Sequence, residues 1–203
     1  MADEEVRHPV IVDTSALIAV ANTSLWSDIT AHLKLTTTNV CVQELKRHVR
    51  ENSKYAPEGT REQWVHRGSK QALEPFEDEE NTSFTTVPCV PRPHGEDAGE
   101  KSVKTEVGQH TERYRFATSM DKHGRRSIDR VFDSADGTTG KAVAPTFMLY
   151  LLSDGGECTV EEFRQACGDM LRGEGWTGYQ AIQATWEAIP VDCSQYLSDD
   201  LLA

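Results

Sequence analysis

Four consecutive apolar residues, Pro9-Val10-Ile11-Val12, run directly into an aspartate at position 13. A strand with one wet face alternates apolar and polar side chains. An unbroken β-branched run instead needs cover on both faces, as a parallel sheet between helices provides. Such a sheet binds its ligands outside the carboxyl ends of its strands. A charged residue closing a fully apolar strand is costly to desolvate unless it is paired or has work to do. Asp13 is therefore the first candidate site residue.

Downstream, helical and extended patterns alternate. Helices are predicted from Ser15 through Val20, over 25–33, over 40–52 with Val42, Leu45 and Val49 on one face, and over 58–76 around Trp64 and Leu73. Strands are predicted at 35–38, 84–87, 114–118 and 141–144, with a three-proline loop at 88–95. A helix over 96–110 turns Val103 and Val107 inward, and a short one covers 127–132. Strands separated by helices of this length pair in parallel through right-handed crossovers, an α/β fold.

Beyond Phe147 the pattern is helical only. Thr159 and Glu162 form a capping box ahead of Phe163, Ala166, Cys167 and Met170. Thr177 and Gln180 repeat it ahead of Tyr179, Ile182, Trp186 and Ile189. Residues 142–203 hold only Arg164 and Arg172 against ten acids. That charge argues against a DNA-reading helix pair, which needs cations for phosphate. Packing on the main domain, a protein partner or a homodimer contact is expected instead.

The whole chain, 203 residues with 33 acids against 21 lysines and arginines, carries a net −12, which also fits a salty cytoplasm where carboxylates hold water. Five dispersed cysteines with no Cys-x-x-Cys pair disfavour both a disulfide framework and structural zinc, and fit a reducing cytoplasm. No apolar run is long enough to span a membrane, and Met-Ala-Asp-Glu-Glu does not read as a signal peptide.

Asp121, after the 114–118 strand, is predicted at the same sheet edge as Asp13. Glu96, Asp97 and Glu100 open one helix at spacings that bring two carboxylates together, and Glu44 lies early in another. Acids at helix starts are also favoured by the macrodipole alone. Gathered in one crevice, they would repel one another and attract a hard divalent cation such as Mg²⁺ or Mn²⁺, which assists in-line displacement at phosphorus. Thr14 and Ser15 offer hydroxyl and N–H groups beside Asp13. Two basic runs, Lys46, Arg47, His48 and Arg50, then Lys122, His123, Arg125 and Arg126, follow Glu44 and Asp121. Each reads either as a solvated face or as a positive rim for a phosphate backbone.

The segments Val-Asp-Thr-Ser-Ala-Leu-Ile at 12–18, Val-Gln-Glu-Leu-Lys-Arg at 42–47 and Glu-Asp-Ala-Gly-Glu at 96–100 resemble the PIN-domain ribonucleases in order and spacing. The resemblance covers roughly residues 8–152 and leaves 153–203 as an acidic helical extension. It implies a three-layer α/β/α fold with a central parallel sheet, and Mg²⁺- or Mn²⁺-dependent hydrolysis of single-stranded or structured RNA. It further implies Asp13, Glu44, Asp97, Glu100 and Asp121 as metal ligands, with Ser15 as the hydroxyl near the first acid. Which two of Glu96, Asp97 and Glu100 serve stays open, with Asp97 and Glu100 preferred. The fourth motif, often two adjacent acids, reads Ser119-Met120-Asp121 here. The expected role is RNA processing or decay, or that of a toxin in a toxin–antitoxin pair. The competing expectation is a catalytically inactive module of the same fold that binds RNA or protein.

Overall fold

The computed structural model of the chain describes residues 9–52, 56–135 and 140–174. Its sheet has five strands in the order β3-β2-β1-β4-β5: β1 (Pro9–Val12), β2 (Lys34–Thr38), β3 (Phe84–Val87), β4 (Phe116–Thr118) and β5 (Lys141–Val143). Every pairing is parallel. The central position of β1 accounts for its composition. Val10 and Val12 enter the larger core, while Ile11 faces the second core on the opposite side. Both sides of the strand are dry, so both kinds of position must be apolar.

The larger core is closed by α1 (Thr14–Ala21), α2 (Trp26–His32), α4 (Arg61–Glu77), α7 (Thr146–Asp154) and α8 (Val160–Glu174). The smaller one lies under α5 (Ala98–Gln109) and α6 (Lys122–Ser134), with Val103, Val107, Ile128 and Phe132 filling it. The result is the three-layer α/β/α arrangement that the resemblance implies. α3 (Asn39–Asn52) leaves β2 and packs against α4 and α5.

Two element starts near the crevice differ from expectation in an informative way. α6 begins at Lys122, not at 127, because Asp121 caps it: Gly124 N donates to Asp121 Oδ2 at 2.7 Å. The polar run after Asp121 conceals a full turn of helix. β4 begins at Phe116 because residues 111–113 form a 3₁₀ turn, leaving the Tyr114 hydroxyl to donate to buried Glu106 at 2.8 Å.

The capping box of α8 forms as read: Thr159 N donates to Glu162 Oε2 at 2.8 Å and Glu162 N to Thr159 Oγ1 at 3.2 Å. Phe163, Ala166, Cys167 and Met170 are buried in the larger core. The helix expected after Thr177 lies outside the described residues. Among the described residues, no helix is long and apolar enough to cross a membrane.

Candidate active site

Chain order reverses between β1 and β4, so their carboxyl ends flank the switch-point crevice of the sheet. Asp13 leaves β1 as the N-cap of α1. Its Oδ1 accepts from Ala16 N at 2.8 Å and from Ser15 Oγ at 3.0 Å, and the residue is only 3% exposed. Asp121 does the same for α6 after β4 but stays exposed. Both acids therefore have a local structural task, and both are brought to one end of the sheet by it.

Glu44 reaches the crevice from α3. It accepts from Thr14 Oγ1 at 2.5 Å and from Gly99 N at 3.1 Å, linking three helices through one carboxylate. The fit needs a glycine, since a β-carbon at position 99 would lie 2.4 Å from Glu44 Oε2. Glu100, in the first turn of α5, is partly buried against α6. Asp97 precedes that helix in left-handed backbone, φ 56°, and makes no side-chain cap.

These acids line one cavity of about 610 Å³. Arg47, His48, Arg61 and Lys122 stand in its wall. Burial raises the Asp13 carboxyl to about 6, against the lowering effect of its hydrogen bonds from Ala16, Ser119 and Ser15; nearby Glu44 adds a smaller upward push. Glu100 is raised too, by partial burial first and then by Asp13, Asp121 and Asp97. Its three anionic neighbours come from three different elements. His48 is lowered, chiefly by burial and next by Arg47.

The donor chemistry fits a hard divalent ion. All the acids offer oxygen, they crowd one crevice, and glycines at 99 and 124 leave room for the Glu44 and Glu100 carboxylates. Among the described residues no three acidic, histidine or cysteine side chains are already closed around a single point. Asp13 and Asp121 each spend one oxygen on a helix cap and Glu44 is tied to Thr14, so side-chain adjustment accompanies any coordination.

Asp13, Ser15, Glu44, Asp97, Glu100 and Asp121 thus share the cavity, while Glu96 stays outside it, exposed, with its carbonyl accepting from Lys101 Nζ. The basic residues divide. Arg47 and Lys122 face the cavity. Lys46 turns toward α4 and pairs with Glu77 at 2.8 Å. Arg125 is a correction to the rim reading. It is 7% exposed, and its Nη1 donates to the Ser119 and Met120 carbonyls at 2.8 and 2.7 Å. A guanidinium committed to the strand exit is a structural brace. Arg126 is exposed on α6 and does not line the cavity, and Arg50 lines neighbouring grooves.

Arg61 was not among the predicted residues. It follows the Thr60 cap of α4, and only the packing of α4 on α1 and α3 carries it to the crevice. No spacing along the chain signals that.

No curated protein and no solved structure matches the chain at a significant level. A family profile described as the halobacterial PIN domain matches residues 1–203. PIN domains are in general nucleases, hence hydrolases, and typically work with divalent metal ions. A match along its full length, on a sheet that opens an acidic crevice at its switch point, makes this chain a member of the PIN-domain family.

Proposed function

We propose that the protein is a Mg²⁺- or Mn²⁺-dependent endoribonuclease that hydrolyses RNA phosphodiester bonds in the β1/β4 crevice. The observation that carries this reading is the meeting of Asp13, Glu44, Glu100 and Asp121, from four separate segments, in one cavity with a cationic wall. Asp13, Asp121 and Glu44 each accept local hydrogen bonds, but four carboxylates gathered in one crevice repel one another. They are suited to holding a hard cation, with Asp97 at the mouth. When bound, such an ion supplies charge neutralisation at the phosphoryl group and acidifies water at neutral pH.

The chain's own groups divide the remaining tasks. Thr14 and Gly99 N keep the Glu44 carboxylate in the crevice of the metal-free chain. Ser15 and Ala16 N hold Asp13 in one rotamer. Arg47, Arg61 and Lys122 present cationic donors to the non-bridging oxygens of the scissile phosphate. Water forms the new bond to phosphorus as the bond to the departing ribose oxygen breaks, and the proton that the water gives up is balanced by the one that the departing oxygen takes.

Cleavage of a mixed RNA pool by wild type and Asp13→Asn, with Mg²⁺, Mn²⁺ or EDTA and at low and molar salt, tests this. Metal-dependent cleavage that disappears in the folded Asp13→Asn variant is expected. Folded wild type that binds RNA and never cleaves it would move the protein to the non-catalytic class.

A further inference from the structure

A second groove, of about 310 Å³, leaves the candidate active site along α3. Glu44 and Arg47 line both spaces, so the two adjoin at those side chains. Val40 and Ala98 contribute its apolar surface. Arg47 and Arg50 come from α3, and Arg92 and His94 from the loop at 88–95. Among the described residues that line it, Glu44, at the junction, is the only acid.

The loop is fastened to its surroundings. Cys89 is buried, and its N–H donates to Asn39 Oδ1 at 3.1 Å; Gln109 Nε2 donates to the Val90 carbonyl at 3.3 Å. Pro88, Pro91 and Pro93 remove backbone freedom at three positions. Arg92 is steadied by donating from Nη1 to Gln43 Oε1 at 3.0 Å, which uses one of five guanidinium donors. The loop therefore presents an arginine to α3 instead of leaving it to wander in solvent.

In a chain of net −12, this groove collects three arginines from two elements, of which Arg47 also lies 3.9 Å, Nε to Oε2, from exposed Glu51. Their mutual repulsion is relieved by an anion that runs along the groove. A line of phosphates does this, and planar guanidinium groups match phosphate oxygens. We propose that this groove is a phosphate channel for the single-stranded RNA that flanks the scissile bond. Arg50 and Arg92 hold the flanking backbone, and Arg47 passes it to the active-site cavity. The inference rests on the ribonuclease reading and adds to it where the strand beside the cut is held. One strand can bend from groove to recessed cavity around Arg47, which the stiff rod of a duplex cannot do.

The test is fluorescence anisotropy with the full chain in EDTA, using a labelled 12-nucleotide uridine strand and a blunt RNA duplex of equal length. Salt is titrated upward from the lowest concentration at which circular dichroism shows the native fold. Arg50→Ala/Arg92→Ala is compared with wild type and with Arg50→Lys/Arg92→Lys. Losing two phosphate contacts lowers the magnitude of the log K against log salt slope by about 1.4 for a single strand. Affinity near the low-salt end falls roughly tenfold. The lysine pair keeps most of the slope, which separates loss of charge from loss of fold. Unchanged slope and affinity in the folded alanine pair overturns the channel, as does duplex binding as tight as strand binding. Wild type that binds no strand overturns it as well. Metal-dependent cleavage decides the ribonuclease reading separately. A cleaving wild type with an unaffected alanine pair removes only the channel, and a non-cleaving wild type with a weakened pair removes only the nuclease.

Discussion

The Glu100 carboxylate occupies the place where a side chain at Gly124 would begin. A β-carbon built on Gly124 would lie 2.3 Å from Glu100 Oε2 and 2.4 Å from its carboxyl carbon. The residue pair joins the first turns of α5 and α6, the two helices that deliver Glu100 and Asp121 to the crevice.

Gly124→Ala therefore separates function from stability. The atoms displaced are the end of a flexible side chain, and alanine in a helix is favoured over glycine by about 0.5–1 kcal/mol. Thermal stability should stay within about 1 kcal/mol of wild type. Mn²⁺ affinity, read by calorimetry, and RNA cleavage should each fall at least about tenfold, the equivalent of about 1.4 kcal/mol at the site. Undiminished metal binding would mean that Glu100 is not a ligand.

Asp13 gives a pH prediction with a definite sign. Its carboxyl is raised to about 6 in the folded chain from an ordinary 3.8. Between those values the folded state holds the proton more tightly, so metal-free stability falls as pH rises from about 4 to about 6 and is level above that. The cost at pH 7 is on the order of 3 kcal/mol. Asparagine can still cap α1 without a charge. Urea unfolding of the metal-free protein should show Asp13→Asn more stable at pH 7 by up to about 3 kcal/mol, with the gain gone near pH 4. Added Mn²⁺ should reverse the order at pH 7. A variant less stable than wild type at pH 7 without metal would show that Asp13 is not a strained buried carboxylate.

Much of this was legible in the sequence for local reasons. The 9–12 tetrad announces a strand dry on both faces, and its closing acid marks the crevice. The Thr159–Glu162 box carries its own start signal, and the α3 pattern places Glu44 near its start. Where the sequence alone is silent, the deciding contacts are distant or the local pattern is obscured. Gly124 amid Lys122, His123, Arg125 and Arg126 hides the start of α6, although the cap residue Asp121 was visible. Lys46 and Arg47 are neighbours in sequence, yet one pairs with Glu77 and the other lines the cavity. That division depends on where α4 packs. Arg61 enters the site for the same reason, and Arg125 looks like any surface arginine until the β4 exit is folded around it.

Arg125 and Arg126 should consequently behave differently. Removing the Arg125 guanidinium leaves the Ser119 and Met120 carbonyls without that partner, at a cost of about 2–4 kcal/mol for two charge-assisted bonds. Arg125→Lys cannot reproduce the geometry and should recover only part of the loss. Arg126→Ala, on the exposed face of α6, should change stability by no more than about 0.5 kcal/mol. Denaturant titration of the three variants at fixed salt measures this directly. Equal stabilities would return Arg125 to the surface.

The helix expected to begin an appendage supplies the last case. Phe163 is 1% exposed and belongs to the same apolar cluster as Val10 and Val12 of the central strand. α8 packs on α1, α4 and α7, and α1 begins at the residue after Asp13. Phe163→Ala should then cost about 3–5 kcal/mol, as for a large core side chain. It should also lower the melting temperature of the whole domain in one transition, whether followed by near- or far-ultraviolet dichroism. By contrast Thr159→Ala, which removes only the cap, should cost about 1 kcal/mol. An early, separate melting step in Phe163→Ala, with the sheet unaffected, would make α8 a docked addition. A single shifted transition would make it a wall of the core that supports the active-site strand.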